Sequence, residues 1–318
     1  MVRGACSVHH HATLNTHHSP DLLSHSPTAY YPAPVPELPE VEVLVRHLAP
    51  LLEGRTIRAV RVHRAKVLAP TSTRKFTRVL LGAKFCGLTR RAKYLLFTLR
   101  QGKRAEPRTL VGHLGMTGRM YLLPAKASLP RHAAVVLNLG RDNFIFEDTR
   151  YFGRLTLDLR ALARLGPEPL GPEFTVERFA DALKRSAQAI KVKLLDQTLL
   201  AGVGNIYASE ALFLAGIAPT LPARRLRKAQ VERLWHAIRE VLSEAIARGS
   251  TLPLNYSGQG ARDGLFYFGR AFDAPDFSPE RLRVYDRAGQ PCPECRTVIK
   301  RRVQAARSTF YCPRCQRA

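Results

Sequence analysis

The period of apolar and polar positions changes along the chain, and each change predicts a different architecture. After Pro39 apolar residues recur at helical spacing to about Leu52 and stop at Gly54, which predicts one N-terminal helix. From Arg55 to about Leu159 the pattern breaks into short runs of Val, Leu, Phe and Tyr separated by turn residues. Strands are expected at 94–99, 109–114, 133–139 and 143–147. Such a region folds as a β-sandwich or flattened barrel with the first helix along one side. The run Gly166-Pro167-Glu168-Pro169-Leu170-Gly171-Pro172 is hostile to helix and marks a domain boundary. Beyond it helical spacing returns at 177–184, 191–199, 206–215 and 228–247.

The second and third of these helices are separated by Leu200-Ala201-Gly202-Val203-Gly204-Asn205, too rich in glycine to continue a helix. Asn205 is placed to cap the third helix, whose N–H groups would form a phosphate site. An ordinary helical hairpin with glycine turns fits that segment equally well. Residues 252–280 lack any period and read as a long functional loop. The expected organisation is α+β: a tail at 1–35, a β-sandwich domain at 36–165, a helical domain with its loop at 173–280, and a terminal module at 281–318.

Composition adds a partner. Lys and Arg number 50 against 25 acidic residues, a formal net charge of +25, which calls for a polyanion, nucleic acid before anionic membrane. No stretch approaches the ~18 apolar residues of a membrane span. Residues 1–34 differ from the rest, holding six of the 11 histidines and a single acid, Asp21. They carry no secretory pattern. They read as a disordered arm or as upstream sequence that is never translated, with a histidine metal tract as the rival reading.

Four of the six cysteines follow the spacing Cys292-x2-Cys295-x16-Cys312-x2-Cys315, a four-thiolate zinc pattern. Cys86, beside Phe85, is expected to be buried. From Arg296 to Arg317 the terminal module carries seven Lys/Arg and no acid, a field aimed at phosphates through Lys300, Arg301, Arg302 and Arg307.

Three further segments carry chemistry. In Pro36-Glu37-Leu38-Pro39-Glu40 a proline opens a helix, but Val35 could be a GUG start codon read as methionine. Removal of that methionine would leave Pro36 as a secondary amine beside a carboxylate, a covalent catalyst for an aldehyde-like carbon. Lys93 opens a buried strand after Arg90 and Arg91, whose charges would depress its pKa; a solvated basic strand end is the alternative. Met116 on a glycine-flanked turn is expected to be exposed. Arg150 and Phe152 share one side of a strand or loop. An apolar wedge with an arginine fills the hole left when a base leaves the duplex stack.

Together the motifs PELPEVE at 36–42, RRAKYLL at 90–96, GVGNIYASE at 202–210 and RSTFYCPRC at 307–315 resemble the formamidopyrimidine-DNA glycosylases and their endonuclease VIII relatives. The likeness runs from about Pro36 to Gln316, and Glu-Leu after Pro36 is similar to the formamidopyrimidine branch. The resemblance implies a β-sandwich followed by a helix–two-turn–helix domain with a zinc finger. It implies a bifunctional glycosylase and abasic-site lyase excising oxidised purines from double-stranded DNA. Pro36 would attack C1′, Glu37 would act as acid and base, Lys93 would assist, and Asn205 and Arg307 would clamp phosphates. Met116, Arg150 and Phe152 would be the wedge, and His113 and His132 DNA contacts. One structural zinc is the only cofactor implied, and the protein is expected to be a monomeric enzyme of the bacterial cytoplasm and nucleoid. Three departures stand out: a retained tail would acylate the Pro36 nitrogen, the loop at 252–280 is longer than usual for the family, and Tyr151 stands where the family commonly has arginine. A zinc-ribbon nucleic-acid binder without the amine is the competing class.

Overall fold

The computed structural model describes residues 36–102, 105–248 and 282–317. The tail with Val35, its histidines and Cys6, and the loop expected at 252–280, lie outside the described residues. Residues 33–318 fall into one contact unit.

Helix α1 (Leu38–Leu52) buries Val41, Leu44, Val45, Leu48 and Leu52 in the core of the sandwich. Its entry is fixed by Glu40, whose Oε2 accepts from the Glu37 N–H at 2.9 Å. Two four-stranded antiparallel sheets follow. One joins β1 (Ala59–Val62), β6 (Ala133–Asn138), β7 (Asp142–Asp148) and β5 (Gly118–Pro124) in that order. The other joins β2 (Lys84–Arg91), β3 (Tyr94–Arg100), β4 (Arg108–His113) and β8 (Arg154–Thr156). Phe85, Phe97 and Phe144 meet between the sheets, with ring centroids 5.6–6.4 Å apart. Edge and tilted packing of this kind adds about 0.5–1.5 kcal/mol per pair beyond area burial.

Two expectations fail here for local reasons. The β region contains a helix, α2 (Thr73–Leu80), capped by Ser72 Oγ accepting from the Lys75 N–H, with Phe76 and Leu80 buried one turn apart. Cys86 is exposed, not buried. Successive strand residues face opposite sides, so burying Phe85 sends its neighbour outward, and the register shifts at this point between Phe85 and Gly87.

A short helix α3 (Arg160–Ala163) leads through the proline-rich connector to α4 (Val176–Lys184), α5 (Ile190–Leu194), α6 (Asn205–Leu214) and α7 (Lys228–Ala247). Helix α5 is shorter than expected. From Asp196 onward its backbone bonds turn into the loop, where Asp196 Oδ1 accepts from the Thr198 N–H and hydroxyl. Helix α6 is apolar all round and buried among the others, as its continuous Ile206, Tyr207, Ala208, Ala211 and Leu212 burial requires.

The terminal module is a hairpin of β9 (Lys300–Gln304) and β10 (Arg307–Tyr311). Val284, Ile299 and Phe310 pack with Phe213 of α6. Glu210, buried on α6, accepts from the N–H groups of Arg283, Val284 and Tyr285 at 2.8–2.9 Å. One carboxylate thus fastens the chain leading into the finger to the helical core.

Candidate active site and DNA interface

The site begins with Glu37, only 2% exposed. Its Oε2 accepts from the Gly204 N–H at 2.8 Å and the Tyr207 N–H at 3.4 Å, and its Oε1 from the Ile206 N–H at 2.9 Å. The first turn of α6 is therefore capped by a carboxylate from the other end of the chain. This corrects the sequence reading of Asn205. Gly204 is the N-cap residue and Asn205 caps nothing. The helix N-terminus is not an open phosphate site, since Glu37 occupies its N–H groups. The Asn205 side chain reaches sideways instead. Its Oδ1 accepts from Lys191 Nζ at 2.6 Å, and its Nδ2 donates to the Ser308 carbonyl at 2.9 Å, next to Arg307.

Lys93 does not open a strand but sits in the two-residue turn between Arg91 and Tyr94 of the β2–β3 hairpin. Ala92, the other turn residue, has φ +53°. A left-handed alanine is unfavourable, and Glu168 from the connector holds it there. Its Oε1 accepts from the Ala92 N–H at 2.6 Å and from Arg91 Nη1 at 2.9 Å, and its Oε2 from Arg90 Nη1 at 2.7 Å. The two arginines are thus paired to carboxylates, Arg90 also to Glu42. Burial, not their charge, is the main cause that pushes the Lys93 amine below its usual pKa, with Glu37 and Glu40 opposing and Arg307 adding to the shift.

Glu37, Lys93, His113, Asn205 and Arg307 line one cavity of about 470 Å³, together with Gln197 and Tyr285. Pro36 is buried beside Glu37 in sequence but does not line this cavity. Lys191 of α5 is 1% exposed, and burial brings its pKa down to about 8, with Glu37 opposing and Arg307 assisting. Burial, followed by the charges of Lys93 and Arg154, lowers His113 to about 4. Its Nδ1 accepts from the Gly115 N–H, which fixes the ring as neutral on that face.

A second group forms on the sandwich. Asp148, fully buried, accepts from Thr117 Oγ1 (2.6 Å), the Arg150 N–H (3.1 Å) and the Gly153 N–H (2.8 Å), and donates its own N–H to the His132 carbonyl. The Asp148 side chain thereby joins the turns that carry Met116, Arg150 and Phe152, and its backbone N–H adds His132. Phe152 is 49% exposed with the Arg150 guanidinium 4.8 Å above its ring. Met116 is half-buried rather than exposed as expected. Tyr151 takes φ +54° and lies beneath Arg64.

Sequence reasoning missed Glu168, Asp148, Lys191 and Tyr285. A lone acid inside a proline-glycine connector and an aspartate preceding a turn of free N–H groups were visible signals for the first two. Nothing local marks the others.

The four finger cysteines have all their sulfurs within 4.8 Å of one another. The Cys292–Cys315 and Cys295–Cys312 sulfurs are 3.8 and 3.4 Å apart. Ligands about 2.3 Å from a tetrahedral ion stand about 3.8 Å apart, so the cluster fits one structural zinc, which it holds beneath the hairpin carrying Arg307.

A sandwich and a helical domain that share a carboxylate–amine–guanidinium cavity, with a basic zinc finger at its edge, define an enzyme acting on nucleic acid. Family models agree: the formamidopyrimidine-DNA glycosylase N-terminal domain matches residues 35–155, the H2TH domain of the same glycosylases 165–254, and the zinc finger found in FPG and IleRS 289–318. The formamidopyrimidine-DNA glycosylase of Chloroflexus aurantiacus is 43% identical over 289 residues, covering 89% of this chain and 98% of its own. That of Thermus thermophilus is 44% identical over 292 residues with the same coverage. Among solved structures, the Lactococcus lactis enzyme with abasic-site DNA superposes with a TM-score of 0.76 at 29% identity, covering 89% of this chain and all of that one. The same enzyme with N7-benzyl-Fapy-dG DNA gives 0.76 at 30% with equal coverage. The chain belongs to the formamidopyrimidine-DNA glycosylase family.

Two outcomes test this geometry. Above pH 6.5 His113 is neutral in both folded and unfolded chains; as pH falls toward 4 only the unfolded chain takes up the proton, so stability is lost over that window. The loss is at most about 3 kcal/mol, and His113→Gln should flatten the denaturant midpoint against pH there; an unchanged acid slope contradicts the buried neutral ring. Metal analysis should find about one zinc per chain by the four-ligand rule. Cys312→Ser should abolish DNA binding while the sandwich keeps its thermal transition, since such sites contribute on the order of 10 kcal/mol of apparent binding free energy.

Proposed function

We propose that this chain is a bifunctional DNA glycosylase and abasic-site lyase that removes oxidised purines in base excision repair, with Pro36 as its nucleophile. The observation that carries the reading is the convergence of Glu37, which follows Pro36 in sequence, with Lys93, Asn205 and Arg307, from four distant segments, on one cavity. The reading requires the chain to begin at Pro36. In support, the N-terminal family model starts at residue 35, and two of the matched relatives are covered over 98% and 100% of their own length by 89% of this chain.

The neutral Pro36 nitrogen forms a bond to C1′ of the damaged nucleotide as the bond from C1′ to the base breaks, and the base leaves with that electron pair and takes a proton from water. The Glu37 carboxylate takes the proton that the bonded Pro36 nitrogen loses and passes it to the ring oxygen as the sugar opens to a C1′ iminium. Three backbone bonds hold the Glu37 carboxylate still, and its oxygens keep acceptor capacity toward the cavity. The iminium draws electrons from C2′, so a base removes the C2′ proton and the 3′ phosphate departs. Loss of the C4′ proton then expels the 5′ phosphate. Water hydrolyses the imine and returns the amine, leaving a one-nucleotide gap. Lys93, whose amine is pushed below its usual pKa by burial, is suited to proton transfer, while Arg307 and Asn205 hold phosphates in place. Zinc contributes no step; it holds the Arg307 hairpin. Met116, Arg150 and Phe152 occupy the duplex where the base was extruded, and His113 and His132 contact DNA. The enzyme works as a monomer in the bacterial cytoplasm, on nucleoid DNA. Among the described residues no helix is long and apolar enough to cross a membrane.

Protein beginning at Pro36, incubated with an 8-oxoguanine duplex and borohydride, should become covalently linked to DNA, and Pro36→Gly should trap poorly. Glu37→Gln should slow base removal more than cleavage of abasic DNA. Protein retaining all residues before Pro36 should not trap, because an amide nitrogen has no available lone pair; efficient trapping by that form would move the nucleophile elsewhere and sink the assignment. A chain that binds DNA but never traps would be the non-catalytic binder.

Phe152→Ala should slow excision from duplex DNA, where unstacking costs a few kcal/mol, and have much less effect at a pre-formed abasic site. Equal losses on both substrates would mean that Phe152 serves folding instead of wedging.

A further inference from the structure

Residues 54–105 contain 15 Lys/Arg and no Asp or Glu, a run of charge that neither the cavity nor the finger explains. Arg90, Arg91 and Arg55 are paired to acids, but Arg64, Lys66, Arg74, Lys75 and Arg78 are exposed and make no ion pair among the described residues. These five lie on one connected surface. The Arg64 guanidinium sits 5.4 Å over the ring of Tyr151, which stands between Arg150 and Phe152 in sequence. Lys66 belongs to a 3₁₀ turn (Ala65–Leu68) that packs on β8 and α2. The start of α2 is tied to the same strand through the Thr71 and Thr156 hydroxyls, 2.8 Å apart. Asp158, the acid that feels the charge of Lys75, is already bonded to Arg160 at 2.9 Å.

The placement is unfavourable for the fold by itself. Arg74 and Lys75 occupy the first turn of α2, where the helix dipole disfavours cations, and they crowd Arg78 one turn on. Phe76 and Leu80 are buried in the core, so the outward face of α2 offers mainly charge. A surface that holds like charges against local preference is suited to a partner carrying a regular row of negative charge.

We propose that this surface is a second phosphate track, running from the Arg150–Phe152 turn onto α2, which grips the backbone of undamaged duplex outside the lesion. It rests on the DNA-binding reading above only for the identity of the polyanion. Its function is sequence-independent holding of long duplex during the search for damage, distinct from the grip on the lesion itself.

The test compares the protein with an Arg74→Gln/Lys75→Gln/Arg78→Gln variant on undamaged duplexes of about 10 and about 40 base pairs, one and four helical turns. On the long duplex the slope of log affinity against log salt should fall by roughly 0.9 for each phosphate that the variant no longer neutralises, up to about 3 in total. On the short duplex, and in excision from a lesion in it, the variant should match the parent. Single Lys75→Gln should show about a third of the effect, which keeps the test decisive should the triple variant fold poorly. An unchanged slope on the long duplex overturns the track. An equal loss on the short duplex also overturns it, placing these residues in the lesion grip. Binding to anionic phospholipid vesicles that weakens in the variant, with DNA slopes unchanged, would assign the surface to a membrane instead. Absence of excision by either protein would defeat the proposed function while the salt slopes still decide the track.

Discussion

The structure depends on one carboxylate. Glu37 sits at the first turn of the first helix and accepts three N–H groups from the start of α6, almost 170 residues later. A buried carboxylate without partners would be prohibitively unfavourable. Three backbone donors and the positive end of a helix remove that penalty and make the contact specific. The glycines of this segment allow the approach. A Cβ on Gly204 would collide with the Glu37 carboxyl, and one on Gly202 would come within 2.7 Å of Leu38 Cδ1. Leu38 in turn donates its N–H to the Gly202 carbonyl. The glycine-rich turn is therefore the receptor for the beginning of the chain, and the sandwich and the helical core are joined at the site where the chemistry is proposed.

The same arrangement sets the electrostatics of the cavity. Glu40 stands one helical turn from Glu37, is fully buried, and is bonded to the Tyr207 hydroxyl; burial first, then the charge of Glu37, raises its pKa. The amines of Lys93 and Lys191 are driven toward their neutral forms by the same burial. A raised Glu40 and lowered Lys93 and Lys191 bring proton donors and acceptors closer in strength, a condition for proton transfer. Tertiary packing, and not the neighbours in sequence, produces this convergence.

Positioning falls to a second tier of acids. Glu168 holds the strained Ala92 and so aims Lys93. Asp148 joins the turns bearing Met116, Arg150 and Phe152. Glu210 secures the segment 283–285 that leads into the finger. Asp148 and Glu210 each satisfy more than one backbone N–H group with one carboxylate, and Glu168 satisfies the Ala92 N–H together with two guanidiniums. The chain has half as many acids as bases, and these three are each committed to holding a segment that carries cations or aromatics.

The sequence by itself determined the succession of β region, helical region and terminal module, and the zinc ligands. Helical and strand periods are local, and cysteine spacing is fixed by the geometry of one ion. It also named Glu37, Lys93, Asn205 and Arg307, because the motifs containing them are contiguous. It placed Asn205 as a cap and Cys86 in the core, and it passed over α2, since one competing carboxylate, one strand alternation and one serine cap each decide those cases. Only the tertiary structure decided that the α6 N-terminus belongs to Glu37, that burial more than neighbouring arginines depresses Lys93, and that Glu168 supports its turn. Those facts depend on groups tens to hundreds of residues apart, for which desolvation and hydrogen bonding have no signature in any local window.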